Sequence, residues 1–134
     1  MALKVEVVTP ERRLLQVDAE EVIAPGADGL FGVRPGHTAY LAVLQPGMLT
    51  VKEGGGVEQR FFVAGGFCEV ADDVVRVLAD VAELIEGIDL VVARKEVAAA
   101  EAKLLEISPS LPAYEAQREA LKKAQVKFEL ASKR

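Results

Sequence analysis

Leu3-Lys4-Val5-Glu6-Val7 alternates apolar and polar positions with period two, the spacing of a strand with one face buried. Met48-Leu49-Thr50-Val51-Lys52-Glu53 repeats the pattern more loosely, and Arg60-Phe61-Phe62-Val63 and Val74-Val75-Arg76-Val77-Leu78 are further β-rich runs. Turn signals separate them about every ten residues: Thr9-Pro10, Pro25-Gly26, Asp28-Gly29, Pro35-Gly36, Pro46-Gly47, Gly54-Gly55-Gly56, Gly65-Gly66 and Asp72-Asp73. Each supplies either the fixed φ of proline or the positive φ open to Gly and Asp. Many short strands at regular spacing predict an all-β sandwich or flattened barrel.

The grammar changes after Gly87. From Ala93 to Leu105 the residues are strong or tolerable helix formers, and the Asp89 carboxylate is placed to cap the helix N-terminus. Ser108-Pro109-Ser110-Leu111-Pro112 must break that helix, because proline has no N–H to donate. A second helix is predicted from about Pro112 to Lys133, with Tyr114, Leu121 and Phe128 seven residues apart and Ala120, Ala124 and Ala131 beside them. The short break predicts an antiparallel helical hairpin. Its alanine-rich contact faces bury little area each, so it is expected to be loosely held and able to open.

Composition sharpens this division. None of the 11 glycines follows Gly87, and residues 1–87 carry net −7 against +2 for residues 88–134. The predicted organisation is therefore a β-sandwich at 1–87 followed by a two-helix unit at 88–134. The overall charge of −5 argues against nucleic-acid binding. No apolar run approaches the roughly 18 residues of a membrane-spanning helix, and no signal-peptide h-region is legible.

Candidate chemistry is sparse. One histidine, His37, follows the Pro35-Gly36 turn, and one cysteine, Cys68, lies inside a β-run where a thiol behaves as a small hydrophobe. A catalytic pair would need them adjacent and oriented. No phosphate-binding glycine loop occurs; Gly54-Gly55-Gly56 reads as a mobile hairpin tip and Asp72-Asp73 as a turn rather than a metal site. Residues 118–134 carry net +4, with Arg118, Lys122, Lys123 and Lys127 forming a basic face for an acidic partner or a polyphosphate. From pattern alone the chain reads as a binding or regulatory module rather than an enzyme.

Four segments in order carry a resemblance across the whole chain. Gly29-Leu30-Phe31-Gly32-Val33-Arg34-Pro35-Gly36-His37, Gln45-Pro46-Gly47, Ala64-Gly65-Gly66-Phe67-Cys68-Glu69-Val70 and Val77-Leu78-Ala79-Asp80-Val81-Ala82-Glu83 resemble signatures of the epsilon subunit of F-type ATP synthases. The resemblance implies a non-catalytic central-stalk subunit of a proton- or sodium-translocating synthase. It would be peripheral to the cytoplasmic face of a bacterial plasma membrane, or the equivalent side of an organelle membrane. Its partners would be the gamma subunit, the c-subunit ring and, for an extended inhibitory hairpin, the catalytic beta subunit. Asp28, Gly29, Leu30 and Phe31 match the loop facing the c ring, where the family often carries an acidic residue at the position of Leu30, and His37 matches a histidine near gamma. Some members bind ATP in the folded form. Glu83, Ile88, Asp89, Lys123 and Lys127 match positions of that site, but its arginine is replaced here by Val92. Arg94, two positions on, is turned about 200° around the helix. No cofactor is expected beyond weak ATP binding. The alternative reading is a free-standing nucleotide-binding sensor of the same fold.

Overall fold

Leu3, Val5 and Val7 turn inward and are fully buried, while Lys4 and Glu6 face outward, so the period-two pattern is realised directly in the first strand. A computed structural model describes residues 2–134. The strands are β1 (Leu3–Val8), β2 (Arg13–Ala19), β3 (Glu21–Gly26), β4 (Gly29–Val33), β5 (Tyr40–Val43), β6 (Gly47–Gly54), β7 (Val57–Ala71) and β8 (Val74–Leu84). They pair in the order β2-β1-β8-β7-β6-β3-β4, with β5 added on β7. All pairs are antiparallel except β1 with β8.

β7 serves both layers of the sandwich. Its residues Val57–Val63 pair with β6, and Phe67–Val70 pair with β5. The switch lies at Gly65-Gly66, whose φ values are +71° and +94°. The expectation that this pair ends a strand is corrected: the ladder with β8 keeps one register from Phe61↔Leu84 to Ala71↔Val74, skipping a pair at Gly65, and the glycines bend a 15-residue strand instead. A side chain at Gly66 would land on the Leu78 carbonyl. Phe61, Val63, Cys68 and Val70 from β7 join Val75, Val77 and Ala79 from β8 in the core, with Val22, Val33, Leu49 and Val51 opposite.

Two turns are tight. Asp72 and Asp73 both have positive φ, 50° and 62°, as a two-residue primed hairpin turn requires. Gly55 and Gly56 do the same between β6 and β7, after a register shift near Gly54.

The Ile85–Gly87 3-10 turn leads into α1 (Leu90–Leu105), and α2 spans Pro112–Ser132. The Asp89 carboxylate accepts hydrogen bonds from the N–H groups of Val91 (2.9 Å) and Val92 (3.1 Å), the expected cap. Pro112 opens α2, where its missing N–H costs nothing. The helices run antiparallel: the Gln117 amide donates to the Ala100 carbonyl at 3.2 Å, and the Lys127 ammonium to Glu96 at 3.2 Å. Ala93, Val97, Ala100 and Leu104 face Tyr114, Gln117, Leu121, Ala124, Phe128 and Ala131 at spacings of three and four, a heptad seam. Within the helices only Ala93 and Ala131 are fully buried, and Ala120, expected to flank the seam, is exposed.

The chain divides into two compact units, Met1–Leu84 and Ile85–Arg134. The strand unit has its own core, so a chain ending at Glu86 is expected to unfold in one cooperative thermal transition. A molten or insoluble product in circular dichroism and exclusion chromatography would contradict independent folding.

Candidate docking surface

Two loops singled out in the sequence flank the short strand β5. At one end the β3–β4 hairpin turns through Ala27-Asp28, and the Ala27 N–H donates to the carbonyl of Val43 at 2.8 Å. Asp28, Gly29 and Leu30 are exposed at this tip, with Leu30 at 72%. Phe31 does not share that position. Strand alternation turns its ring inward, where it packs on the core, lies against Gly26 and meets Tyr40 edge-on at 5.2 Å. Phe31 is therefore half-buried beneath the tip rather than projecting from it as Leu30 does.

At the other end lies Pro35-Gly36-His37. The Gly36 N–H donates to the Asp73 carboxylate at 2.7 Å, which ties this loop to the β7–β8 turn. The His37 N–H closes the turn onto the Arg34 carbonyl at 3.1 Å. The half-buried ring sits 6.2 Å from Tyr40, so Phe31, Tyr40 and His37 form a short aromatic chain between the two loops.

An outward apolar row, starting at the tip end of β5, comes from residues not singled out as a surface in the sequence. Cross-strand partners share a face, and the ladders align Val43 with Phe67, Phe67 with Leu78, and Leu78 with Val8. This row crosses four strands with Val43, Phe67 and Leu78 exposed by 55, 49 and 41%. A shallow groove of about 330 Å³ runs along it beside Thr9, Pro10 and Asp80. Leu41, 64% exposed, begins the next row, which continues through Glu69, Arg76 and Glu6, with Glu69 and Arg76 paired at 4.0 Å. An apolar stripe bordered by charge has the anatomy of an interface. The signal was present in the sequence: Phe67 shares the parity of Glu69, and Leu78 that of Arg76.

Cys68 points to the other face. It is buried in the core, and burial pushes its thiol up to about 12, so no thiolate forms near neutral pH. It is a core residue rather than a partner for His37.

The residues of the suggested nucleotide site are divided between the two units. Glu83 belongs to β8, where it pairs with Phe62. In the helical unit Asp89 is committed to its cap, Ile88 is buried, and Lys127 is half-buried on Glu96. The Arg94 guanidinium lies 5.3 Å from the centre of the Phe128 ring, and Val92 is half-exposed. Position 92 carries no guanidinium fork of the kind phosphate recognition favours, but the Arg134 guanidinium reaches the start of this helix, donating to the Ile85 carbonyl at 3.0 Å and the Ile88 carbonyl at 2.6 Å. Of the predicted basic face, Lys122 and Lys123 are exposed, whereas Arg118 pairs with Glu115 at 3.0 Å and Lys127 with Glu96. Through Glu96, Lys127 ties the two helices together.

Residues 2–85 match the family model described as the ATP synthase delta/epsilon chain, β-sandwich domain. An ATP synthase epsilon chain of Myxococcus xanthus is 55% identical over 102 residues, covering 76% of this chain and 74% of that one. An epsilon chain of Anaeromyxobacter sp. strain K is 41% identical over 133 residues, covering 99% of this chain and all of that one. Among solved structures, a chain in the Euglena gracilis mitochondrial ATP synthase, resolved as OSCP/F1/c-ring, superposes with a TM-score of 0.79 at 26% identity, over 93% of this chain and 78% of that one. The strand order, the capped helical pair and these relatives together place the chain in the ATP synthase epsilon family.

Proposed function

We propose that the chain is the non-catalytic central-stalk subunit of an F-type ATP synthase, with the strand unit docking on the gamma subunit and the c ring and the helical unit regulating ATP hydrolysis. The observation that carries this reading is the outward row Val43–Phe67–Leu78, which starts beside the Asp28–Leu30 tip. An exposed apolar row of this kind needs a partner, and the gamma subunit is the partner proposed for it. The tip, with Asp28 beside the projecting Leu30, is assigned to the ring. Among the described residues no helix is long and apolar enough to cross a membrane, and the chain is read as peripheral to it, on the cytoplasmic face, through its complex.

The helical unit supports a switch. A seam whose fully buried helix residues are two alanines holds the helices together weakly, so opening costs little area burial. An extended hairpin would present Lys122 and Lys123 to an acidic surface of the catalytic beta subunit. A differential attraction of about 1–3 kcal/mol shifts such an equilibrium substantially.

Copurification with gamma tests the docking; a chain that does not associate with it refutes the reading. The regulatory half is tested by Lys122→Glu with Lys123→Glu in the reconstituted complex. ATP hydrolysis is expected to rise toward that of a complex whose chain ends at Glu86, and added salt is expected to weaken inhibition by the unsubstituted chain. Lys127 is left intact, because its loss would disturb the hairpin itself. Unchanged inhibition by the double variant would reduce the two lysines to a solvated surface.

A further inference from the structure

The turn that leads into α1 has backbone carbonyls that need donors, because Ile85 and Ile88 are only 1 and 5% exposed. The Ile85 carbonyl accepts the Ile88 N–H at 3.2 Å. The Ile88 carbonyl lies ahead of the helical ladder, whose first acceptor is the Asp89 carbonyl, bonded to the Ala93 N–H. Its donor comes from the opposite end of the helical unit. Arg134, two residues past α2, places one guanidinium nitrogen, Nη1, 2.6 Å from the Ile88 oxygen and 3.0 Å from the Ile85 oxygen. The two N–H groups on that nitrogen serve one carbonyl each. Hydrogen bonds from a charged donor are roughly twice as strong as neutral ones.

Where these bonds lie along the hairpin decides what they do. At one end the chain itself joins α1 to α2, and the helices cannot part there. Arg134 acts at the other end, where no covalent link holds α2 to α1. All four buried residues of the unit, Ile85, Ile88, Ala93 and Ala131, also lie at this end. A helix that leaves an antiparallel partner frays from its free end first, so opening must break the Arg134 bonds before the Lys127–Glu96 and Gln117–Ala100 contacts.

We propose that Arg134 is the clasp of the helical hairpin: its guanidinium pins the free end of α2 to the turn before α1, and its release is the step that lets the helices part. Without it the Ile88 carbonyl loses its donor, and the buried end is held by alanine contacts that contribute little. The clasp belongs to the helical unit alone; its effect on ATP hydrolysis rests on the reading of that unit as a switch.

Thiol trapping in the full chain reads the opening. The thiol introduced by Ala93→Cys would sit buried on the seam, and the native Cys68, buried in the strand core, adds little background. The rate of maleimide labelling follows the fraction of time the seam is open. Adding Arg134→Gln is expected to raise that rate at least about tenfold, with the helical circular dichroism retained. Lys133→Gln is the control. It removes the same charge one residue away, from a side chain that pairs only with the exposed Glu129 at 2.7 Å, and is expected to change the rate by less than about twofold. Equal rates in the two variants, or loss of the helical signal in Arg134→Gln, would overturn the clasp. In the reconstituted complex, the Arg134→Gln chain is expected to inhibit ATP hydrolysis more strongly than the unsubstituted chain, the opposite sign to Lys122→Glu with Lys123→Glu. Faster trapping with unchanged hydrolysis supports the clasp and removes the regulatory reading, whereas unchanged trapping removes the clasp whatever hydrolysis does.

Discussion

Gly66→Ala is expected to destabilise the strand unit by about 3 kcal/mol, a large share of what holds a domain of this size together. Two costs add. A φ of +94° is unfavourable for any residue with a Cβ, by roughly 1–2 kcal/mol. The new methyl group would also land on the Leu78 carbonyl across the β7–β8 ladder, and backbone on both sides of that contact is held by hydrogen bonds. Forcing the two apart costs about 1–3 kcal/mol more. Gly56→Ala is the control. Its φ of +83° is as demanding, but nothing lies within 4 Å of its added Cβ, so only the conformational cost of about 1 kcal/mol applies. Urea denaturation followed by circular dichroism separates the two. Equal losses would mean that the close approach at Gly66 does not limit the fold. The site matters beyond stability, because the bend it permits hands β7 from β6 to β5 and so places Phe67 on the outward row.

Replacing Phe67 and Leu78 together with Glu is expected to weaken binding of the gamma subunit at least about 100-fold, roughly 2.7 kcal/mol, while leaving the thermal transition nearly unmoved. The two side chains are 49 and 41% exposed, so neither is a core residue, and charge there meets water in the free chain. In a complex the same charges would be buried without partners, which is what makes the effect large. Val57→Glu controls for a charge on an apolar residue of equal exposure. At 52% exposed, Val57 stands beside the β6–β7 turn, at the far end of β7 from the row, and its replacement is expected to change affinity by less than about twofold. Row variants that bind as well as Val57→Glu would remove the docking assignment, and calorimetric titration decides between these outcomes.

Much of this protein is determined locally and could be read in order along the chain. The alternation of Leu3 to Val7, the Asp89 cap, the proline break before α2 and the Asp72-Asp73 turn each depend on residues a few positions apart, and the structure keeps all of them. Periodicity also separated a strand half from a helical half. Other features were set by neighbours distant in sequence. Gly65-Gly66 carries the chemistry of a turn, and only the β8 ladder, which keeps its register on both sides, makes it a bend inside a strand. Phe31 adjoins the exposed tip in sequence, yet strand alternation and the Gly26 and Tyr40 contacts turn it inward. Lys127 reads as one of four residues of a basic face, and only the antiparallel register of the hairpin brings it to Glu96. The outward row is the clearest case. Val43, Phe67, Leu78 and Val8 are unremarkable in their own segments, where each is one apolar residue in an apolar run. They become a surface because register in a sheet is a long-range property: a shift of one residue in any of the ladders would send its strand's contribution to the opposite face.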